Sequence, residues 1–224
     1  MQQQQTPPTG DTGHGMPGIA PSGHHARLPA LSCRGRRIGL FGGSFNPPHA
    51  GHRQLAEEAL RRLRLHEVWW LPTRRNPLKP ADIYADHAQR LAQTRALASH
   101  PRFRVQDIEW QLGIDYTIDL LKALAPLLQQ GQCVWLMGAD SFATLHRWKQ
   151  WRQIISIIPL AVFDRPGATL AALTAPAARL LRHHRLPQHA AALLPGHTTP
   201  AWSFISMPHN PASSTHLRQG NRQP

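Results

Sequence analysis

His49 and His52 stand three residues apart at the start of a helix-patterned stretch, directly after the run Gly42-Gly43-Ser44-Phe45-Asn46-Pro47-Pro48. On a helix this spacing puts both imidazoles on one face, at the end where free backbone N–H groups and the macrodipole favour negative charge. Gly42 and Gly43 let the backbone approach a bulky anion. Pro48 suits a first helical turn, and Gly51 lets a ligand pass close to the helix surface. The chemistry open to this set is holding phosphate. Two histidines near a helix start are ordinarily caps or exposed side chains, so the glycine run around them carries the distinction. Zinc-binding helices space histidines by four and add an acidic residue. No Glu lies between His49 and His52, which disfavours a metal pair.

A second anion-gripping segment is available near the end of the chain, in Ala212-Ser213-Ser214-Thr215-His216-Leu217-Arg218. Ser213 to Thr215 can cap a new helix, with Arg218 one turn along. Alone such a segment is only a cap; beside the first motif it becomes a second hold on phosphate. His183, His184, His189 and His197 lack regular spacing in a Pro- and Ala-rich stretch, so they read as a solvated loop.

Short apolar runs at 38–41, 68–71, 103–108, 134–137, 160–163 and 202–205 alternate with helical patterns at 50–65, 86–99, 117–130, 148–155 and 170–181. Strand and helix in alternation predict an α/β, Rossmann-like, doubly wound parallel sheet of about six strands with helices on both faces. Such sheets bind ligands beyond the carboxyl ends of their strands, where the motif loops fall. Residues 1–35, rich in Gln, Pro, Gly, Thr and His, predict a disordered tail, and residues 36–224 the single domain.

The 224 residues carry 25 Lys and Arg against 12 Asp and Glu, a formal charge of +13 that favours polyanionic partners without choosing among them. Cys33 and Cys133 are far apart in sequence, so neither a disulfide framework nor a CxxC centre is expected. Cys133 reads as a small buried hydrophobe. No run approaches a membrane span, and the N-terminus lacks a signal-peptide pattern, so a cytoplasmic protein is expected.

Taken in order, these segments resemble the nucleotidyltransferases with the HxGH signature, and more closely the bacterial nicotinate-nucleotide adenylyltransferases. Their opening motif is Gly-Gly-Ser/Thr-Phe-Asp-Pro-x-His-x-Gly-His; Asn46 stands here where Asp is usual. Asn76-Pro77-Leu78-Lys79, Asp107-Ile108-Glu109, Tyr116-Thr117, Gly138-Ala139-Asp140-Ser141 with Trp148, Arg165-Pro166-Gly167 and the Ser213 to Arg218 segment are similar to further family signatures. The resemblance implies transfer of AMP from ATP to nicotinate mononucleotide, with His49, His52, Lys79 and Arg218 as catalytic groups. It implies ATP binding by Gly42, Gly43, Ser44, Phe45, His49, His52, Gly138, Asp140, Ser213, Ser214, Thr215 and Arg218. Lys79, Tyr116, Thr117, Trp148 and Arg165 would bind the acceptor, with Trp148 stacked on its ring. Asp140 as a plain helix cap and Trp148 as core packing remain the bland alternatives.

The cofactor implied is Mg²⁺ carried between phosphate oxygens with most of its water kept, with no dedicated protein ligands. The partners implied are small molecules rather than nucleic acid or a membrane, and a homo-oligomer is compatible with the sequence. Two rivals stay open at this point. An adenylyltransferase for pantetheine phosphate shares the first motif, and a basic nucleic-acid-binding module would account for the charge.

Overall fold

In the computed structural model, residues 31–75, 78 and 85–208 are described. Strand β1 (Arg37–Gly43) lies between β2 (Glu67–Pro72) and β4 (Gln132–Gly138). Beyond β2 lies β3 (Phe103–Val105), and beyond β4 lie β5 (Leu160–Phe163), β7 (Trp202–Ile205) and β6 (Arg185–Leu186), giving the order β3-β2-β1-β4-β5-β7-β6. Every pairing is parallel. The sheet therefore reverses direction of travel at β1, and the crevice between the carboxyl ends of β1 and β4 is where a ligand belongs.

Alternation along the strands divides the core in two. Phe41, Val68, Trp70, Val134 and Leu136 pack against Leu55, Ala56, Ala59 and Leu60 of α1 (Ala50–Arg62); α2 (His87–Leu97) lies against β2. Leu40, Trp69, Trp135, Met137 and Val162 face the other way. They meet Ile118, Leu121 and Leu124 of α4 (Thr117–Leu128) and Ile154 and Ile155 of α6 (Trp151–Ile157). Both sheet faces are covered, which is why the strands read as unbroken apolar runs. Glu67 is a charged exception, buried in β2 but paired with Arg36 at 3.0 Å and Arg104 at 3.3 Å.

The sheet has seven strands rather than six; the extra one, β6, is two residues long and carries no periodic signal. The run at 103–108 is strand only to Val105, because Ile108 opens the short helix α3 (Ile108–Leu112) behind Asp107. Ala139–Ala143 forms α5, a helix the sequence did not announce. The pattern at 148–155 shifts to Trp151–Ile157, since Gln150 takes a left-handed φ of 50° at its start. The pattern at 170–181 breaks into α7 (Thr169–Leu173) and α8 (Pro176–Leu180), with Pro176 restarting the helix at its first turn. Packing also begins before Arg36. Cys33 is fully buried in the same core cluster as Cys133, and the two thiols perturb each other's pKa, so two residues a hundred positions apart in sequence are neighbours in space.

Candidate active site

The carboxyl ends of β1, β2, β4 and β5 open into a cavity of about 450 Å³. Gly42, Gly43, Ser44, Phe45, His49 and His52 line it from the β1 side, and Gly138, Asp140 and Arg165 from the β4 and β5 side. Tyr116, Thr117 and Trp148 line the wall nearest α4. The site residues predicted within the described part of the chain are thus brought together. Lys79, Ser213, Ser214, Thr215 and Arg218 lie outside the described residues.

His49 is the N-cap of α1 and His52 sits in its first turn. His52 Nδ1 accepts from the His49 backbone N–H at 3.2 Å, and the two rings lie 3.8 Å apart. With Nδ1 accepting, the neutral His52 ring carries its proton on Nε2. Phe45 fixes that ring from below, edge-on at 5.1 Å, and does so from a left-handed backbone with φ 42°. Such strain in a buried aromatic residue persists only where the surroundings over-determine it. Gly43 is required by the same packing: a Cβ there would lie 2.9 Å from the Phe45 ring.

His49 is 6% exposed, and burial, reinforced by the nearby Arg165 cation and opposed by Asp140, lowers its pKa to about 4. At neutral pH it is an uncharged donor or acceptor. Positive charge beside it comes from Arg165 on the same cavity. A Cβ at Gly138 would lie 3.0 Å from Arg165 Nε and would also collide with the Asp140 carboxylate, so a glycine here leaves room for both side chains. Asn46, the departure from the usual Asp, accepts from the Ala85 backbone N–H at 3.1 Å. That contact needs an oxygen, not a charge.

Several lining residues were given no site role by the sequence, Glu109 having appeared there only within a motif. Arg75, Arg147 and Lys149 add cations to the wall near Tyr116, and Lys149 Nζ lies 4.4 Å above the Tyr116 ring. Arg74 makes a two-pronged pair with Asp115, at 2.8 and 3.2 Å. Glu109 is 2% exposed and accepts from the Arg74 backbone N–H at 3.0 Å; burial pushes its pKa up to about 8 despite that bond. A carboxyl in the first turn of a helix just after a strand is the signal that marks it. For the arginines no spacing signal exists. Trp148 is half-buried, packing against the core while lining the cavity, so the two alternatives for it are not exclusive. His183, His184, His189 and His197 are all exposed.

Four side-chain atoms buried without a partner among the described residues, His49 Nδ1, Thr73 Oγ1, Trp135 Nε1 and Arg165 Nε, belong to residues lining this one cavity. Buried polar atoms are ordinarily satisfied, so these four are atoms to which a polar ligand could supply the partner, although seven more such atoms lie elsewhere among the described residues. Neutral donors, fixed arginines and an aromatic wall suit an anionic nucleotide: they can position and stabilise charge.

The cytidylyltransferase-like family matches residues 40–220. A protein of Methylorubrum extorquens named "Probable nicotinate-nucleotide adenylyltransferase" is 49% identical over 182 residues, covering 81% of this chain and 98% of that one. Proteins of the same name from Caulobacter sp. and Rhizobium johnstonii are 49% and 44% identical, covering 81% and 85% of this chain and 96% of each relative. In fold, the chain is similar to the Plasmodium falciparum nicotinic acid mononucleotide adenylyltransferase complexed with NaAD, with TM-score 0.63 and 16% identity over 82% of this chain and 83% of that one. At near half identity along almost the full length of its relatives, and with the glycine run, the paired histidines and the aromatic wall on one cavity, the chain belongs to the nicotinate-nucleotide adenylyltransferases, within the cytidylyltransferase-like family.

Proposed function

We propose that this protein transfers the adenylyl group of ATP to nicotinate mononucleotide, giving deamido-NAD and pyrophosphate, a step in building NAD. The observation that carries the reading is the placement of His49, His52, Asp140 and Arg165 on the same cavity as Tyr116, Thr117 and Trp148. One part suits a triphosphate and the other a ring with an attached anion.

The reaction needs no covalent intermediate. A phosphate oxygen of the acceptor attacks the α-phosphorus of ATP, the bond from that phosphorus to the bridging oxygen breaks, and pyrophosphate leaves. In this reading His52 and His49 donate hydrogen bonds to phosphate oxygens, and Arg165 supplies fixed charge that cannot be lost by deprotonation. Lys79 and Arg218 add cations, and Ser213, Ser214 and Thr215 present backbone donors to the outer phosphates. Gly42, Gly43, Ser44 and Phe45 form the floor, and Gly138 and Asp140 the opposite side. Among the described residues no three His, Cys, Asp or Glu side chains converge as a resident metal site would, and Asp140 is a carboxylate on the cavity that could orient a hydrated ion. That donor set fits Mg²⁺ bound to ATP, which when present neutralises charge on the phosphates.

Trp148 would stack on the pyridine ring, while Lys79, Tyr116, Thr117 and Arg165 hold the rest of the acceptor. Discrimination against the nicotinamide form follows from donors aimed at both carboxylate oxygens, because an amide nitrogen would meet a donor with a donor. We read the protein as cytoplasmic, acting on small molecules rather than on nucleic acid or a membrane, and as compatible with a homo-oligomer; no helix among the described residues is long and apolar enough to cross a membrane.

The test is pyrophosphate release with ATP, Mg²⁺ and a panel of acceptors. Turnover is expected with nicotinate mononucleotide, at a kcat/KM about tenfold to a few hundredfold above the nicotinamide form. Turnover with pantetheine phosphate alone, or salt-dependent DNA binding with no turnover, would overturn the reading.

A further inference from the structure

Arg90, on α2, is 2% exposed. Its Nη1 donates to the carbonyl of Ser44 at 2.8 Å and of Thr73 at 3.0 Å, and its Nη2 to that of Arg74 at 3.3 Å. Ser44 begins the loop from β1 that leads to His49 and His52, while Thr73 and Arg74 begin the loop from β2 that supplies Arg75 and Leu78 to the cavity. The sheet itself holds β1 to β2 as far as Thr73 N–H to Gly43 O, at 2.9 Å. One residue further along, the backbone ladder stops and Arg90 spans the gap in its place. Behind it, His87 Nδ1 lies 3.5 Å from Nη2, and His87 Nε2 lies 2.9 Å from Asp107 Oδ2. The His87 ring is stacked on Trp110 at 4.0 Å. Arg90 is therefore oriented from one side and grips two loops on the other.

Burying a guanidinium is costly, and an apolar side chain of similar volume generally stabilises a core better. A planar fork, unlike a lysine, reaches several carbonyls in a fixed geometry. We propose that Arg90 is a positioning residue that fixes the distance between the phosphate-holding loop at 44–49 and the loop at 73–75, and so registers the two substrates for in-line transfer. Its kinetic consequence presumes the adenylyl transfer proposed above; its effect on loop dynamics does not.

Two variants test this in the full-length protein. Arg90→Lys keeps the charge but can reach only part of the carbonyl set. It should fold with an unfolding transition close to that of the parent, lower kcat on the order of 10- to 100-fold, and leave both substrate KM values within about threefold. Arg90→Ala should regain at least about fivefold in kcat on adding guanidinium chloride below its unfolding range, with no gain from sodium chloride at equal ionic strength. Hydrogen exchange of the amides at 43–46 and 73–75 should quicken in Arg90→Lys by about tenfold or more, while amides within β1, β4 and β5 keep their protection. Unchanged kcat and exchange in Arg90→Lys would overturn the proposal. So would a loss spread evenly over the sheet amides without guanidinium rescue, which marks a residue that only supports the fold. If Arg90→Ala does not fold, Arg90→Lys decides alone. If the parent protein releases no pyrophosphate with any acceptor, the functional reading falls and the exchange experiment still decides the clasp.

Discussion

Exchanging His49 for Asn should change how stability depends on acidity, and the size of the change follows from its surroundings. Burial and Arg165 hold the folded-state pKa of His49 at about 4, against an ordinary value of 6.5. Between those values the unfolded chain binds a proton that the folded chain does not, so the folded state loses stability as pH falls through this window. Above pH 6.5 the contribution is intact. The full difference of two and a half units corresponds to about 3 kcal/mol, of which about 1.4 kcal/mol has been lost by about pH 5.5. Glu109 works in the opposite sense. Its folded-state pKa, raised from 4.5 to about 8, makes the folded chain bind the extra proton; its contribution is complete below 4.5 and lost as pH rises through 8. From 4.5 to 6.5 the two groups nearly cancel in the parent protein, and the parent curve alone reveals neither.

The comparison must therefore be made as a difference. Urea unfolding of the parent and of His49→Asn at several pH values should give curves that run parallel above about pH 7 and diverge below it, the variant gaining relative stability by about 1.4 kcal/mol per pH unit at most. Curves that stay parallel down to about pH 5 would refute the assignment of a buried, neutral His49.

His52→Ala should lower kcat/KM by roughly two orders of magnitude with the fold intact, measured by pyrophosphate release, since its ring lines the cavity rather than the core. Trp148→Ala should raise the KM for nicotinate mononucleotide at least about tenfold more than that for ATP, by the same assay. Glu109→Gln, compared with the parent by urea unfolding, should gain relative stability as pH rises from 4.5 to 8, where the unfolded parent releases a proton that its folded state still holds. Deleting residues 2–30, which show no apolar pattern, should leave the melting temperature unchanged, whereas cutting back to Arg36 removes the buried Cys33 and should cost about 1–3 kcal/mol by calorimetry.

What was legible in the sequence was whatever repeats or punctuates. Strands buried on both faces print continuous apolar runs, so β1, β2, β4, β5 and β7 were found within two residues of their ends. The glycine run and the paired histidines were legible because backbone approach and helical spacing are local properties. Five-residue helices such as α3 and α5, and the two-residue β6, are too short to repeat a period. The contact of Cys33 with Cys133, the Arg74 pair with Asp115 and the reach of Arg90 to Ser44 are set by the crossing of distant segments, on which spacing along the chain has no hold.

The electrostatics of His49 were illegible for a related reason, and they change how the paired histidines should be understood. Two adjacent imidazoles read from sequence look like a pair set at a helix end to hold phosphate. In the fold the rings lie 3.8 Å apart, His49 is buried and Arg165 is close enough to depress its pKa, so protonating it would place like charges side by side in a desolvated site. A pocket for a polyanion gains more from separating the two tasks. Arginine, which keeps its proton at any working pH, carries the charge, and a neutral imidazole offers a directed hydrogen bond whose strength in a low-dielectric cleft does not depend on first acquiring a proton. Phe45 and the His49 backbone N–H hold the His52 ring in place, so in the proposed transfer the donors would face the phosphates before the nucleotide arrived, leaving little reorganisation for the moment of reaction.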